Sequence, residues 1–352
     1  MSTITAPVLR FEVDTDHEAH EPLEESGARR DDGLLLVSPG ADEPVDTSFR
    51  SLGGFLSAGD LIVVNTSATI AAALDGRLPN GEPIVVHLSG AMPGGVWLVE
   101  PRQPRDGSTA PLHLERPTAI ELFGGGSVQL LTRFADSERL WLASLDVGPS
   151  VLEYAAANGR PIRYRHVRGD WPLACYQTLF AREPGSAEMP SASRPFTAGL
   201  VTDLVTRGVL FAPLVLHTGV SSLEGGEQPY PEQYRVPSST ATIVNAVRRE
   251  GGRVVAAGTT VVRALATVTD ERGIVHPGAG WTDVVVTPEH PVPSVDGLLT
   301  GWHEPESTHL MMLEAFAEPA VLQRAYDAAL AAGYRWHEFG DTHLILRDRD
   351  RR

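Results

Sequence analysis

Apolar and polar positions change period twice along this chain, and the changes divide it into three parts. In the first part, Gly33 to Ser38 (GLLLVS) and Asp60 to Asn65 (DLIVVN) are runs of strand length with uninterrupted apolar centres, which predicts two buried strands. Ser48 to Leu56 between them reads as a short helix and turn. Asp14 to Asp32 is acidic, polar and without clear period, and reads either as a mobile arm or as a surface strap. From about Arg77 to Val147 the pattern alternates in short runs: PIVVHL, VWLVEP, AIELF, VQLLTRF and RLWLASL. Tight-turn signals such as Gly94-Gly95 and Gly124 to Gly126 separate them. Five such runs with no helical period predict a small antiparallel sheet closed into a barrel or a sandwich.

In the third part apolar residues fall at helical spacing, in segments that alternate with strand-like runs. Helices are predicted over Val151–Asn158 before Gly159, and over Thr197–Arg207 with a threonine cap and Gly208 beyond. Three more follow: Ser238–Arg249 before Gly251-Gly252, THLMMLEAFA behind a Ser307 cap, and Pro319–Ala332 before Gly333. Strands are predicted at Val209–Leu216, Arg253–Ala257, Asp283–Val286 and after the Gly340-Asp341 turn, with Pro293 to Pro305 as a loop. Strands alternating with helices imply an α/β core. The expected architecture is therefore a discontinuous α/β core domain, residues 1–74 and 150–352, with an inserted small all-β barrel domain at 75–149. The terminal RDRDRR reads as a frayed tail.

Composition narrows the function classes. The 352 residues are 42% hydrophobic and 21% charged, as in an ordinary water-soluble globular protein. No apolar run approaches the roughly 18 residues that span a bilayer, and the N-terminal stretch lacks a signal-peptide core, so no membrane and a cytoplasmic location are expected. One cysteine, Cys175, leaves no internal disulfide and no multi-cysteine zinc site. Every basic residue is arginine, which excludes Schiff-base lysine chemistry and a P-loop lysine. The formal charge of -16 argues against a generic phosphate-binding surface and gives an RNA partner no support, unless the arginines cluster.

The most informative stretch is Arg253 to Ala266, RVVAAGTTVVRALA. It reads as a strand, a Gly258-Thr259-Thr260 turn and a helix, and the turn presents backbone N–H groups and a positive dipole end to an anion or a polar ligand edge. Ordinary capping gives the same pattern, and Arg263 on the first turns can equally be a solvated or ion-paired side chain. His217 follows a strand and precedes Gly219; it reads as a ligand contact or as a structural hydrogen-bonding residue. Glu232 in PYPEQY is a general base if its loop folds over a ligand, and otherwise a solvated carboxylate. His303 in TGWHEPEST shares that ambiguity, and Asp341 fits an Asx turn. No histidine spacing groups metal ligands, so no metal is expected, and no G-x-G-x-x-G, G-x-S-x-G or P-loop is present.

The order of segments adds a further reading. GDLIVVN, CYQTLFAREPGSAEMPSA, FTAGLVTDLVTRGV, LHTG, PEQYRVP, GGRVVAAGTTVVRAL, VDGLLTGWHEPESTHLMMLEAF and YRWHEFGDTHLIL occur in one series. The series resembles the S-adenosylmethionine:tRNA ribosyltransferase-isomerase family of queuosine biosynthesis, from about Phe55 to Leu346 and most strongly after Tyr176. The resemblance implies a discontinuous α/β domain with an inserted β-barrel. It also implies transfer of the ribosyl part of S-adenosylmethionine, as substrate, onto the aminomethyl group of a 7-deazaguanine in tRNA, with no metal or other cofactor. Epoxyqueuosine would form, and adenine and methionine would leave.

Residues carried over as matches are His217 and Glu232 for proton transfer, and Gly258, Thr259, Thr260 and Arg263 for ligand binding. Asp296, His303 and Asp341 are further members of the same cleft. The chain also departs from the family pattern. Asn65-Thr66-Ser67-Ala68 stands for N-D-T-R, and Pro195 for a histidine. Ser221-Ser222-Leu223 stands near the place of glycine-threonine-phenylalanine, Pro229-Tyr230 for methionine-histidine, and Glu306 for a lysine. These departures leave two alternatives beside the family reaction: a relative acting on a small molecule, and a catalytically silent binding protein. Oligomeric state is not legible.

Overall fold

The computed structural model describes residues 7–105, 107–135, 137–220, 230–305 and 307–347. Ser221 to Leu223, Pro229, Glu306 and the RDRDRR tail beyond Arg347 lie outside the described residues. The chain begins with β1 (Leu34–Pro39), β2 (Val45–Ser48), β3 (Leu61–Asn65) and β4 (Ser67–Thr69). An antiparallel series follows: β5 (Ala73–Arg77), β6 (Pro83–Ala91), β7 (Trp97–Arg105), β8 (Ser108–Pro111), β9 (Ala119–Leu122), β10 (Ser127–Arg133) and β11 (Trp141–Asp146). Next come α1 (Val151–Asn158), β12 (Glu183–Ser186), α2 (Ala198–Thr206), β13 (Leu210–Leu216), β14 (Glu232–Val236), α3 (Ser238–Arg249), β15 (Val254–Ala257) and α4 (Thr259–Val268). The chain closes with β16 (Gly278–Thr282), β17 (Gly297–Gly301), α5 (Thr308–Glu314), α6 (Pro319–Ala331) and β18 (Thr342–Leu346).

Nine strands form one mixed sheet in the order β16-β14-β13-β3-β15-β17-β18-β1-β2. Its centre, β13-β3-β15-β17, is parallel. Alternation within β3 shows why this centre is apolar throughout. Leu61 and Val63 pack with α3, α4, α5 and α6, while Ile62 and Val64 pack with Phe49, Phe196, Leu200 and Leu204 on the opposite face. A strand covered on both faces needs an unbroken apolar run. The second sheet has the order β11-β10-β9-β5-β6-β7-β8, with β11 also pairing β7, and it encloses its own core around Val86, Val99, Ile120, Val128 and Trp141. The five expected strand runs are there, joined by the short strands β5 and β8.

Three expectations fail in the large sheet, the first being the loop reading of PYPEQY, since Glu232 begins β14. Asp283–Val286 is not a strand; its valines are ordered as coil, with Val286 buried and the Val284 carbonyl accepting from Arg263 Nε at 3.2 Å. The strand lies just before it, as β16 on the sheet edge. Conversely, the expected loop Pro293 to Pro305 contains β17. Its glycine-bounded sequence hides a central strand, and Gly297 lets β18 approach closely, since a Cβ there would stand 2.8 Å from Leu346 Cδ2 and 3.1 Å from the Ile345 carbonyl oxygen. Asp14 to Asp32 is a strap: Ala19 N and Trp336 N exchange bonds with the Trp336 and His17 carbonyls at 3.2 and 2.7 Å.

Candidate active site

The parallel strands β3, β13, β15 and β17 all end on one edge of the sheet, the edge at which ligands bind in open α/β folds. Asn65, His217, Gly258 and His303 therefore arrive together although they are far apart in sequence. Between this edge and the second sheet lies a cavity of about 860 Å³. It is lined by His217, Glu232, Gly258, Thr259, Thr260, Arg263 and His303 on one side, and by Ser89, Met92, Trp97 and Tyr230 on the other.

Gly258 joins β15 to α4 with φ +111°, a conformation that disfavours any residue carrying a Cβ. The turn it allows starts α4 at once, and the geometry of a first helical turn leaves the Thr259 and Thr260 N–H groups without acceptors inside the helix. Asn65 ties the neighbouring strand ends together. Its Nδ2 donates to Leu216 O at 2.8 Å and to Thr260 Oγ1 at 3.3 Å, and its Oδ1 accepts from Ser67 N and Leu216 N at 3.0 and 3.1 Å.

His217 is held by the β3 side of the edge. Its Nδ1 lies 2.8 Å from Ser67 Oγ, which lies 2.6 Å from Ser186 Oγ. Gly185 makes room for the ring, since a Cβ there would sit 2.5 Å from His217 Nδ1. Burial lowers the proton affinity of His217, and Glu183 only partly offsets it, so the ring is neutral at pH 7. Glu232 begins β14 and is not a solvated carboxylate. Oε1 accepts from Gly219 N at 2.9 Å and Oε2 is paired with Arg263 Nη1. Arg263 also donates from Nη2 to Thr282 O at 3.2 Å. The two residues thus hold each other and fix the His217–Gly219 turn against α4.

His303 lies beyond β17, with Nε2 2.8 Å from Thr300 Oγ1 and its ring stacked on His309 at 4.7 Å. Burial, then His309 and His343, push it well below the ordinary histidine range. Asp296 and Asp341 do not line this cavity. Asp296 precedes β17 at the opposite edge, where Oδ2 accepts from Val254 N at 2.9 Å and the residue borders a separate cavity of about 1140 Å³. Asp341 precedes β18 and accepts from Leu34 N at 2.7 Å and Arg335 N at 2.9 Å, joining two backbone segments. Of the positions that depart from the family pattern, Tyr230 lines the cavity, whereas Ala68 and Pro195 do not.

One side of the cavity has no counterpart among the sequence candidates. His166 and His337 stack at 3.7 Å with 13° between their planes, and Tyr164 lies parallel to His166 at 6.1 Å. His166 Nε2 is 2.6 Å from Glu338 Oε2, and His337 Nε2 is 3.3 Å from Glu304 Oε1. Its members come from three distant stretches, around residues 164–166, 304 and 337–338, so no local pattern in the sequence brings them together. No set of three or more His, Cys, Asp or Glu side chains suited to a metal ion occurs among the described residues. No helix among them is long and apolar enough to cross a membrane.

The sequence model of a queuosine biosynthesis protein family matches residues 8–345. The chain is 33% identical to the S-adenosylmethionine:tRNA ribosyltransferase-isomerase of Moorella thermoacetica over 363 aligned residues, covering 96% of this chain and 98% of the relative. It is 35% identical to the enzyme of that name from Symbiobacterium thermophilum, covering 96% and 98%. Among solved structures it is similar to the S-adenosylmethionine tRNA ribosyltransferase of Thermotoga maritima, with a TM-score of 0.52 and 26% identity over 96% of this chain and 99% of that one. With a family match over nearly its whole length and relatives of this identity and coverage, the chain belongs to the queuosine biosynthesis protein family.

Proposed function

We propose that this protein is an S-adenosylmethionine:tRNA ribosyltransferase-isomerase. In this reading it moves the ribosyl part of S-adenosylmethionine onto the aminomethyl group of a 7-deazaguanine base in tRNA and gives epoxyqueuosine. The observation that carries the reading is the convergence of His217, Glu232, Gly258, Thr259, Thr260, Arg263 and His303 on one cavity of ligand size. In the reaction a proton beside the sulfonium is removed and departing adenine is stabilised. His217 suits the proton removal. When its Nδ1–H donates to Ser67 Oγ, Nε2 carries the lone pair and can accept that proton. The N–H groups of Thr259 and Thr260 suit developing negative charge on the leaving base. Glu232 and Arg263, engaged with each other, act by holding this wall in place, and Glu232 takes part in proton transfer only if the pair opens.

An acidic chain can still bind tRNA if its arginines are local. The segment from Arg160 to Arg168 contains four arginines, and of these Arg165 and Arg168 are exposed, Arg165 at the cavity itself. We read them as phosphate contacts. We further read the second sheet, closed by the β11–β7 pairing, as an inserted barrel domain over 75–149 that covers a core domain of 1–74 and 150–352. The setting of such an enzyme is the cytoplasm.

The test is release of adenine and methionine from S-adenosylmethionine, with and without an anticodon stem-loop bearing the 7-aminomethyl-7-deazaguanine base. Release that requires the RNA, with a mass gain on it, is the expected result. Release without RNA would point to a small acceptor or water, and binding without release to a silent relative.

A further inference from the structure

The stacked corner of the cavity lies apart from His217 and the Gly258 turn, and none of the roles above uses it. Its floor is three nearly parallel rings, Tyr164, His166 and His337. Beside His337 Nε2 stand two carboxylates, Glu304 Oε1 at 3.3 Å and Glu18 Oε1 at 4.0 Å. Glu304 lines the cavity and is half-exposed to it.

The charge balance of this corner is uneven. Glu338 is hydrogen-bonded to His166 at 2.6 Å, and among the described residues Glu18 has the half-buried His20 ring at 4.0 Å besides His337. No arginine lies within ion-pair distance of Glu304 among the described residues. Burial, with His166 beside it, holds His337 at about 4, so it is uncharged at neutral pH and does not neutralise Glu304. Burial and then Glu18 push the Glu304 carboxyl up, which is the response of an acid lacking a cationic partner. His337 is also one of two non-glycine residues with positive φ among the described residues, at +76°, a strained state that surrounding contacts must impose.

We propose that this corner is a subsite for a planar heteroaromatic ring that carries a cationic nitrogen, with His337 and its stacked neighbours as the platform and Glu304 as the counter-charge. Rings of this kind stack on imidazole and phenol faces, and an alkylammonium donates charge-assisted hydrogen bonds to a carboxylate. The inference rests on the functional reading above, in which the acceptor base has this chemistry. It deepens that reading by assigning the acceptor to the loop side of the cavity and the donor to the sheet edge. The methionyl ammonium and sulfonium of S-adenosylmethionine are the other source of positive charge.

Equilibrium binding to Glu304→Gln and His337→Asn separates these sources. Asparagine tolerates positive φ, so the second variant removes the ring with little backbone cost. The probes are S-adenosylmethionine alone, the stem-loop with the 7-aminomethyl base, and the same stem-loop with a neutral nitrile in place of the aminomethyl group. Glu304→Gln should weaken the aminomethyl stem-loop by about 10- to 100-fold and leave the nitrile stem-loop and S-adenosylmethionine unchanged. His337→Asn should weaken both stem-loops alike. Loss confined to S-adenosylmethionine would keep the cation subsite and assign it to the donor. Equal losses for all three probes, or none, would overturn the subsite while leaving the functional reading intact. A wild-type chain that binds neither substrate would overturn both.

Discussion

The two sides of the cavity are built by different means. On the sheet edge, His217, Gly258 and His303 each stand one or two residues beyond a strand, so the hydrogen-bonded ladder of β13-β3-β15-β17 sets their positions. On the loop side, Tyr164, His166, Glu304, His337 and Glu338 lie outside any strand, and side-chain contacts supplement the short backbone bridge between the strap and Trp336. His20 Nδ1 meets His166 O at 2.7 Å, Trp336 Nε1 donates to His303 O at 3.1 Å, and His166 meets Glu338. A group placed by a ladder is held to a fraction of an ångström by many backbone bonds, whereas a group placed by three side chains can be re-aimed by one substitution. The difference suggests a division of labour, with bond-breaking on the rigid edge and recognition of the partner on the adaptable side.

The largest effect expected on the rigid side comes from His217. His217→Ala should lower turnover by roughly 100-fold or more while S-adenosylmethionine still binds. Gly185→Ala sharpens the point without touching the histidine, because its methyl group must push the ring off Ser67; turnover should fall almost as far with the fold intact. Near-normal turnover in both would show that placement of this ring is not part of the chemistry, and the contrast between the two sides would lose its basis.

How far each side was legible in the sequence follows from the same contrast. Strand ends are local features, so the Gly-Thr-Thr turn and the His217-Thr218-Gly219 stop are visible in RVVAAGTTVVRALA and LHTG, and α1, α3 and α4 begin and end close to their caps. Arg263 and Glu232 were visible singly but not as a pair, because pairing needs the antiparallel contact of β13 with β14. Asp296 is assigned to the cleft through its match to the family's motifs; it precedes β17, a strand the pattern does not reveal, and only the far end of that strand carries His303 to the cavity. The stack of His166 on His337 joins residues 171 positions apart, and no periodicity reports such a contact.

Buried histidines should also set the acid sensitivity of the fold. His343 lies in the core with Nε2 2.8 Å from Ser38 Oγ, and burial holds it at about 3; His337 is held at about 4. Both pKa values are depressed relative to the unfolded chain, near 6.5, so the unfolded state binds more protons between pH 6.5 and about 3 to 4. Stability therefore falls as pH drops through that window. From pH 7 to pH 5 each histidine should cost about 2 kcal/mol, measurable as a shift in the urea midpoint. His343→Gln should remove its share of that pH dependence. An unchanged slope in that variant would mean that other groups control the acid response.

A smaller effect should come from the exposed arginines beside the stack. Arg165→Ala and Arg168→Ala should each weaken stem-loop binding several-fold at moderate salt and reduce the slope of log affinity against log salt by about 1, without changing affinity for S-adenosylmethionine. Salt slopes equal to wild type would remove these residues from the RNA path and leave the acidic character of the chain without a local exception.

The smallest effect tests the third wall, where the second sheet reaches the cavity through Tyr230. Its hydroxyl donates to Ser137 Oγ at 2.9 Å, and the Arg139 guanidinium lies 5.6 Å from its ring centre. Arg139 in turn is 3.3 Å from the buried Glu100 carboxylate, which Arg102 also holds at 2.7 Å. Tyr230 stands two residues before Glu232, so this contact is a direct route by which the second sheet could set the position of the Glu232–Arg263 pair. Tyr230→Phe keeps the ring under Arg139 and removes one neutral hydrogen bond, which costs about 1 kcal/mol. If the sheet edge alone fixes Glu232, unfolding should register that loss while turnover stays within about threefold of wild type. A turnover loss approaching that of His217→Ala would instead make the second sheet part of the rigid side, because a single hydroxyl 2.9 Å from Ser137 would then be setting the geometry of the edge.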